Sequence, residues 1–210
     1  MPNPSLATFL RDLQATTPPH TFNPWTTHDP GTDHAQDAPA QRLQRLQAHL
    51  DCDARIVLIG EASGYQGCHV TGIPFTSERL LIEGAIPRVT IRAPRLSTRT
   101  RPWSEPSATI VWGILKELGI ADSTVLWNAY PWHPHQPRNH QSNRTPTTVE
   151  KALGLPVLET FLALYPAARL FAVGRNAERA LALLGQTAIP LRHPAMGGAS
   201  LFRSQLRAAL

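Results

Sequence analysis

The sequence predicts an α/β fold, a three-layer α/β/α sandwich with a central four-stranded parallel sheet. Four short apolar runs alternate along the chain with stretches of helical periodicity, and this alternation gives a parallel sheet with helices on both faces. Polar or glycine-rich segments follow these runs, as expected where parallel strands end in a ligand-binding crevice. The 210 residues are enough for one core, so residues 1–210 are expected to form a single domain.

The expected elements follow in chain order. Predicted strands cover residues 55–59, 125–127, 169–173 and 188–191. Predicted helices cover residues 5–14, 41–50, 78–81, 106–118, 148–164, 176–184 and 199–210. Asn3 and Pro4 suit the start of the first helix, and Thr147 with Glu150 matches a capping box. Residues 16–40 are rich in Pro, Thr, Asp and His without a period, which predicts a long surface loop.

Composition bounds the location and the cofactors. No apolar run approaches the roughly 20 residues of a membrane helix, and the amino terminus lacks a signal-peptide pattern. A cytoplasmic monomer without membrane contact is therefore expected. The two cysteines, Cys52 and Cys68, are too few for a disulfide framework, and alone they cannot supply the usual four ligands of an iron–sulfur cluster. Neither a P-loop nor a dinucleotide-binding glycine motif occurs, and no cofactor is expected.

Positive charge is concentrated in two stretches that contain no acid. Five arginines lie between Gly84 and Ser104, followed closely by Trp103, and Arg138 and Arg144 lie among three histidines in residues 132–146. Surfaces of this kind bind nucleic acid phosphates, although a merely solvated charged face has the same composition. The spacing of His133, His135 and His140 matches no standard zinc motif, so no metal site is predicted.

The segment from Gly60 to Glu78, GEASGYQGCHVTGIPFTSE, is the most informative part of the sequence. It directly follows a buried strand and combines one carboxylate, Glu61, with several glycines and an aromatic ring, Phe75. Glycines let the backbone approach a ligand closely. The segment therefore predicts a pocket for a flat heterocycle.

Three motifs make the sequence resemble the uracil-DNA glycosylase superfamily. GEASG at residues 60–64 and GIPF at residues 72–75 are similar to the GEAPG and G-x-PF elements of one bacterial branch. The second predicted strand ends in Asn128, and RHPAMGG at residues 192–198 resembles the His-Pro motif of the family. That branch carries an iron–sulfur cluster, whose ligands this chain lacks.

The resemblance implies a role for each candidate residue. Phe75 would stack on a base extruded from DNA, and the amide of Asn128, which offers a donor and an acceptor, would read its imide edge. His193 would stabilise the negative charge on the departing base. Gly60 and Ala62 would complete the base pocket. A core phenylalanine, a strand-capping asparagine and a structural histidine are the ordinary alternatives.

Glu61 is the candidate for orienting water or supporting positive charge on the sugar. The best-known branch of the superfamily has an aspartate where this chain has Ala62. Ser63 replaces the usual proline, and Gly64 stands where some members carry a tyrosine that excludes the thymine methyl group. Other deaminated bases are therefore open as substrates.

The last motif and the basic stretches provide candidate DNA contacts. Backbone amides at Gly197 and Gly198 could meet a phosphate, Met196 could fill the space left by an extruded base, and Arg138 and Arg144 could bind phosphates.

The sequence thus predicts a monofunctional, cofactor-free DNA glycosylase that leaves an abasic site after removing uracil or a related deaminated base. Two alternatives remain open, a catalytically weak DNA-binding member of the same superfamily and a hydrolase of free nucleosides or nucleotides.

Overall fold

In the computed structural model, which describes residues 5–89 and 95–210, strands and helices alternate as the sequence predicts. The strands are β1 (Thr21–Phe22), β2 (Ile56–Ala62), β3 (Thr124–Tyr130), β4 (His133–Pro134), β5 (Arg169–Val173) and β6 (Ile189–Leu191). The helices are α1 (Leu6–Ala15), α2 (Ala38–Leu50), α3 (Cys68–Thr71), α4 (Glu78–Ile82), α5 (Pro106–Glu117), α6 (Thr148–Leu162), α7 (Arg175–Leu183) and α8 (Ala199–Ala208), with a 3-10 turn at Ala121–Ser123.

Four strands form one parallel sheet in the order β3-β2-β5-β6. The chain order reverses between β2 and β5, and open α/β sheets bind ligands at such a reversal, beyond the carboxyl ends of the strands. Gly60 pairs with Asn128 across β2 and β3. Two residues from distant motifs therefore lie side by side at this edge.

Alternate residues of β2 face opposite layers, as the strand period requires. Leu58 packs in a cluster with residues of α4, α5 and α8. Ile59 packs on the other face with residues of α1, α6 and α7. The predicted three-layer sandwich with four parallel strands is confirmed. β2 and β3 extend three residues beyond their predicted ends because Gly60 and Asn128 stay in the ladder, despite the missing side chain of one and the polarity of the other, and Ala62 pairs with Tyr130 after them.

The helix boundaries agree with the sequence within a few residues. The capping box at the start of α6 is present, with the Glu150 amide bonded to Thr147 Oγ1 and the Thr147 amide bonded to the Glu150 carboxylate. The side chain of Ser5 caps α1 by accepting from the Thr8 amide at 3.2 Å. Asn3 and Pro4, the predicted start of that helix, lie outside the described residues.

Residues 16–40 correct the sequence prediction. The segment is largely irregular, but it is not a surface loop, because Phe22, Asn23 and Trp25 are each at most 1% exposed. β1 pairs with β4 in an antiparallel ribbon, and the indole N–H of Trp25 donates to the Gly72 carbonyl at 3.0 Å. These side chains are buried by contacts with distant segments, and such contacts leave no periodic pattern in the sequence.

A buried ion pair anchors this segment to α2. Arg42 and Asp33 have side chains that are 0% exposed, and their closest atoms lie 2.6 Å apart. The guanidinium also donates to the carbonyls of Pro24 at 2.6 Å and Thr27 at 2.9 Å. The cation is thereby matched in charge and in hydrogen bonds, as a buried charge must be.

Among the described residues, no helix is long and apolar enough to cross a membrane.

Replacing Asp33 with Asn should strongly destabilise the protein. The change leaves the buried Arg42 guanidinium without its counter-charge, and breaking such a pair costs about 3 to 5 kcal/mol. Urea unfolding followed by circular dichroism measures the loss. Glu117→Gln is the matched control, because its ion pair with Arg207 is about half exposed (46% and 55%), and it should change the free energy of unfolding by less than about 1 kcal/mol. Equal losses in the two variants would contradict the anchoring role of Asp33.

Candidate functional site

A cleft of about 580 Å³ opens at the carboxyl edge of β2 and β3. Most of the predicted site residues line it, namely Glu61, Ala62, Phe75, Asn128, Arg144, His193 and Met196. Gly60 lies directly behind the Phe75 ring. Three motifs spread over more than 130 residues of sequence are thus brought to one site by the parallel sheet.

Gly60 is the residue around which the cleft is built. A Cβ atom placed there would lie 2.5 Å from the Phe75 ring and 2.6 Å from Oδ1 of Asn128. Only a residue without a side chain lets the ring and the amide lie this close to the strand. Phe75 itself is 7% exposed and has a positive φ of 51°, a conformation uncommon for a bulky residue. The fold therefore stores strain to hold this ring in place.

The amide of Asn128 is oriented by a short chain of hydrogen bonds. Its Nδ2 group donates to Ser63 Oγ at 3.4 Å, and the Ser63 hydroxyl donates to the carbonyl of Pro131. Asn128 is only 3% exposed. Ser63, which the sequence marked only as a departure from the family motif, thus helps to fix which end of the amide donates and which accepts.

His193 presents a neutral imidazole to the cleft. The Ala195 amide donates to Nδ1 at 3.1 Å, so the ring proton is on Nε2. Burial, followed by the nearby Arg192, lowers the pKa of His193 below its usual range. The side chain is therefore a neutral Nε2–H donor near pH 7, and its ring centroid lies 6.4 Å from that of Phe75.

Glu61 is held by a partner that sequence reasoning missed. Nδ2 of Asn176, in the first turn of α7, donates to Oε1 of Glu61 at 2.8 Å. This contact spans the reversal point between β2 and β5. No local motif marks Asn176, which lies outside the cleft lining and shares a neighbouring pocket between α6 and α7 with Glu61.

Buried histidines tie together the loops that flank the cleft. Nε2 of His69 lies 2.9 Å from Asp29 Oδ2, and its Nδ1 lies 2.8 Å from Nδ1 of His133. Nε2 of His133 in turn contacts the carbonyl of Ser142 at 2.8 Å. The chain connects residues 16–37 with the loops after β2 and β3, so it positions the cleft walls without lining them.

In the segment after β6, Met196 is exposed as the sequence predicts, but Gly198 has a structural role that the sequence did not predict. Met196 is 97% exposed with a positive φ of 50°, and Gly197 also has a positive φ, 75°. The Gly198 amide, however, donates to the Ala195 carbonyl at 3.1 Å, and its Cα lies against the His193 carbonyl. Gly198 therefore closes the turn, and its amide is not free for a phosphate as the sequence suggested.

The two arginines predicted to contact DNA differ. Arg138 is exposed. Arg144 forms two hydrogen bonds with the Glu150 carboxylate, at 2.6 and 2.7 Å, and Glu150 keeps the pKa of Arg144 above its usual value. Because this charge is already paired, Arg144 supports the cleft wall structurally, and the exposed Arg138 is the stronger candidate for a phosphate contact.

The first arginine-rich stretch is also partly structural. Arg88 donates to the carbonyls of His49 at 3.0 Å and Thr124 at 3.1 Å, at the opposite edge of the sheet from the cleft. The Arg99 guanidinium lies 4.1 Å from the ring centroid of Trp103, which is 7% exposed. Arg92 lies outside the described residues. Some arginines of this stretch therefore bind backbone carbonyls or pack on an aromatic ring, and they are not simply an exposed positive surface.

The cysteine positions do not fit an iron–sulfur cluster. Cys52 precedes β2 and Cys68 follows it, so the two thiols lie at opposite edges of the sheet. Burial raises the pKa of Cys68 to about 12, whereas a cluster is held by thiolates. In the part of the chain that the structure describes, no group of three or more His, Cys, Asp or Glu side chains is placed to hold a metal ion.

Replacing Gly60 with Ala should destabilise the protein by about 2 kcal/mol, because the new methyl group overlaps the Phe75 ring and the Asn128 amide. Chemical denaturation measures the change. Gly113→Ala is the matched control, since Gly113 is exposed within α5 and nothing lies within 4 Å of an added Cβ. That substitution should stabilise the protein by up to about 1 kcal/mol. A neutral effect of Gly60→Ala would show that Phe75 is not held against the strand.

Comparison with known proteins identifies the family and the fold. Residues 48–205 match the family model of the uracil DNA glycosylase superfamily. A crystal structure of wild-type SMUG2 from Pedobacter heparinus matches with a TM-score of 0.63 at 18% sequence identity, over 96% of each chain. At this identity, the structural match shows a common fold. No curated protein matches the sequence. Since the family model covers well over half of the 210 residues, the chain belongs to the uracil DNA glycosylase superfamily.

Proposed function

We propose that the protein is a monofunctional DNA glycosylase that hydrolyses the N-glycosidic bond of uracil or a related deaminated base in DNA. The observation that carries the proposal is that the Phe75 ring, the Asn128 amide and a neutral His193 meet in one cleft. A ring, an amide and a donor suit the three tasks of base excision, which are to hold the base, to read it and to stabilise it as it leaves.

Base capture relies on Phe75 and Asn128. The base extruded from the duplex would stack on the Phe75 ring, whose position against Gly60 is rigid. The Asn128 amide is complementary to an imide edge, because it donates to a carbonyl oxygen and accepts from a ring N–H. Its contact with Ser63 leaves the second Nδ2 proton and Oδ1 for the base. A fixed amide discriminates better than a mobile one, since a mismatched base leaves buried polar groups unpaired.

Departure of the base relies on His193. Cleavage places negative charge on the base, and a donor aimed at its carbonyl oxygen stabilises that charge more in the transition state than in the ground state. A neutral imidazole with its proton on Nε2 can donate without first losing or gaining a proton.

Attack by water relies on Glu61. Asn176 fixes one carboxylate oxygen and leaves the other to orient water or to offset positive charge on the sugar. At the rim of the cleft, the exposed Met196 is placed to fill the gap left by the extruded base.

His193→Ala should lower the rate of base release by about 100- to 1000-fold, the usual cost of removing one donor to a developing anion. The assay uses labelled oligonucleotides with uracil, hypoxanthine, xanthine or mismatched thymine, and alkali then reveals abasic sites. Asn128→Ala should also be slower, and Ser63→Ala should fall between it and the wild type because the amide loses only its orientation.

His34→Ala is the control for this assay, because His34 is exposed and does not line the cleft. It should match the wild type. A wild-type protein that releases none of these bases, or a His193→Ala variant as fast as the wild type, would overturn the proposed function.

Arg138→Gln should weaken binding to all DNA sequences equally and reduce the slope of log affinity against log salt by about one. Fluorescence anisotropy across a salt series measures both. The control is Arg169→Gln, since Arg169 is exposed at the amino end of β5, away from the cleft. Equal slopes for the two variants would exclude a phosphate contact at Arg138.

A catalytically weak DNA-binding protein is the second candidate. Ala62 favours it, because this cleft residue has no carboxylate where the best-known branch of the superfamily has one. This candidate predicts salt-dependent DNA affinity without base release in the same two assays.

A further inference from the structure

Glu105 is a cleft residue that the motifs do not include. It occupies the N-cap position of α5, but its side chain makes no capping hydrogen bond and instead lines the cleft with Phe75, Asn128 and His193. A Cβ atom at Gly67 would lie 2.0 Å from Glu105 Oε2, so the carboxyl group rests directly on the Gly67 backbone. The glycine at position 67 thus makes room for this carboxyl group in the wall of the cleft.

Among the described residues, no side chain or backbone amide forms a hydrogen bond or ion pair with the Glu105 carboxyl group. An N-cap side chain normally accepts a hydrogen bond from a backbone amide of the first helical turn. The Glu105 side chain accepts none, which is unusual for this position. Its free hydrogen-bonding capacity is directed to the cleft rather than to the protein.

In the part of the chain that the structure describes, no unpaired cation lines the cleft beside Glu105. The cleft wall offers Glu61 from β2 and the buried Cys68 thiol from α3, neither of them a cation, and the neutral His193 after β6. Arg144, which lines the cleft, and Arg79 of α4 each have partners of their own. Arg144 is paired with Glu150, and Arg79 of α4 is paired with Glu83. Glu105 is only half-buried, and its desolvation in the cleft wall raises its pKa to about 7.

A neutral carboxylic acid and a carboxylate would act differently on a bound base. The acid carries a donor and an acceptor side by side, which complements the adjacent C=O and N–H of a lactam edge, as the Asn128 amide does. The carboxylate only accepts, and it repels the anion that forms as the base departs.

We propose that Glu105 is a second base-contacting residue, which binds a lactam edge of the extruded base as a neutral acid and opposes base release once it is ionised. This inference rests on the proposed function and adds to it a residue that no motif of the family assigned in the sequence. It predicts that the cleft prefers bases with more than one lactam-type edge or carbonyl group, because two groups in the cleft, Asn128 and Glu105, are complementary to such edges.

The test compares wild type with Glu105→Gln, whose amide keeps a donor and an acceptor without a titrating proton. Single-turnover base release is measured between pH 5.5 and pH 9 on the best substrate. The wild-type rate should fall by about 20-fold between pH 6.5 and pH 8.5, the loss of acid form expected for a group that titrates near pH 7. The Glu105→Gln rate should stay within about threefold over this range, and Glu105→Ala should be slow throughout. Parallel wild-type and Glu105→Gln profiles would overturn the inference.

Glu117→Gln is the matched control, since Glu117 is exposed at the far end of the same helix. Its pH profile should follow the wild type. A flat profile in this variant as well would trace the pH dependence to helix α5 in general and would also overturn the role of Glu105.

Two further measurements separate this inference from the proposed function. The first is affinity for DNA containing 2′-fluoro-2′-deoxyuridine, whose glycosidic bond resists cleavage. Affinity should decline above pH 7 for wild type and stay constant for Glu105→Gln, even if the protein releases no base. A pH-independent wild-type affinity would contradict base contact by Glu105 and leave the proposed function standing.

The second measurement is thermal unfolding against pH. A carboxyl group whose folded pKa is raised stabilises the fold at low pH, and this contribution is lost as pH rises from its ordinary value of 4.5 towards 7. Glu105→Gln should therefore unfold at a higher temperature than wild type at pH 8 and at a similar temperature at pH 4.5. A Glu105→Gln variant that is less stable than wild type at pH 8 would show that the carboxylate is stabilised in the fold, contrary to the inference.

Discussion

The buried Arg42 guanidinium is the constraint on which much of the structure depends. A cation with no exposed surface is tolerable only if it is paired in charge and hydrogen-bonded, and here Asp33 and two carbonyls of the preceding segment accept four hydrogen bonds from it. The segment of residues 16–37 must therefore fold inward over α2. Removing one partner would leave the charge unmatched, so the ion pair and the irregular segment form together or not at all.

The same arginine also determines how the chain reaches the cleft. A Cβ atom at Gly72 would lie 2.5 Å from the Arg42 carbonyl oxygen, and Gly72 has a φ of 81°, which only glycine adopts without strain. Trp25 donates to the carbonyl of this glycine. The turn at Gly72 is thus fixed from two sides, and three residues later it delivers Phe75 against Gly60. The strained backbone of Phe75 is held by packing that begins at a buried ion pair.

The sequence predicted those features that depend on residues close together in the chain. The strands, the capping box of α6 and the positions of Gly60, Asn128 and His193 follow from hydrophobic runs and from residues at strand ends. Partners across the fold left no such signal. Ser63 beside Asn128, Asn176 beside Glu61 and the pairing of Arg144 with Glu150 each join residues 6 to 115 positions apart. The inward packing of residues 16–40 was missed because an isolated tryptophan or aspartate carries no period.

Apart from the Glu61 carboxylate, low charge is the property that the cleft walls share. The pKa of His193 is lowered and that of Cys68 is raised, so both are neutral near pH 7, while the charge of Arg144 is matched by Glu150. Desolvation likewise favours the neutral form of Glu105 by raising its pKa. A neutral heterocycle enters such a site without displacing bound counter-ions, and an anion formed there meets preorganised dipoles rather than water. The cost is that any group that ionises in the cleft acts on that anion at short range and with little screening, which makes the protonation state of one carboxyl group able to control the reaction.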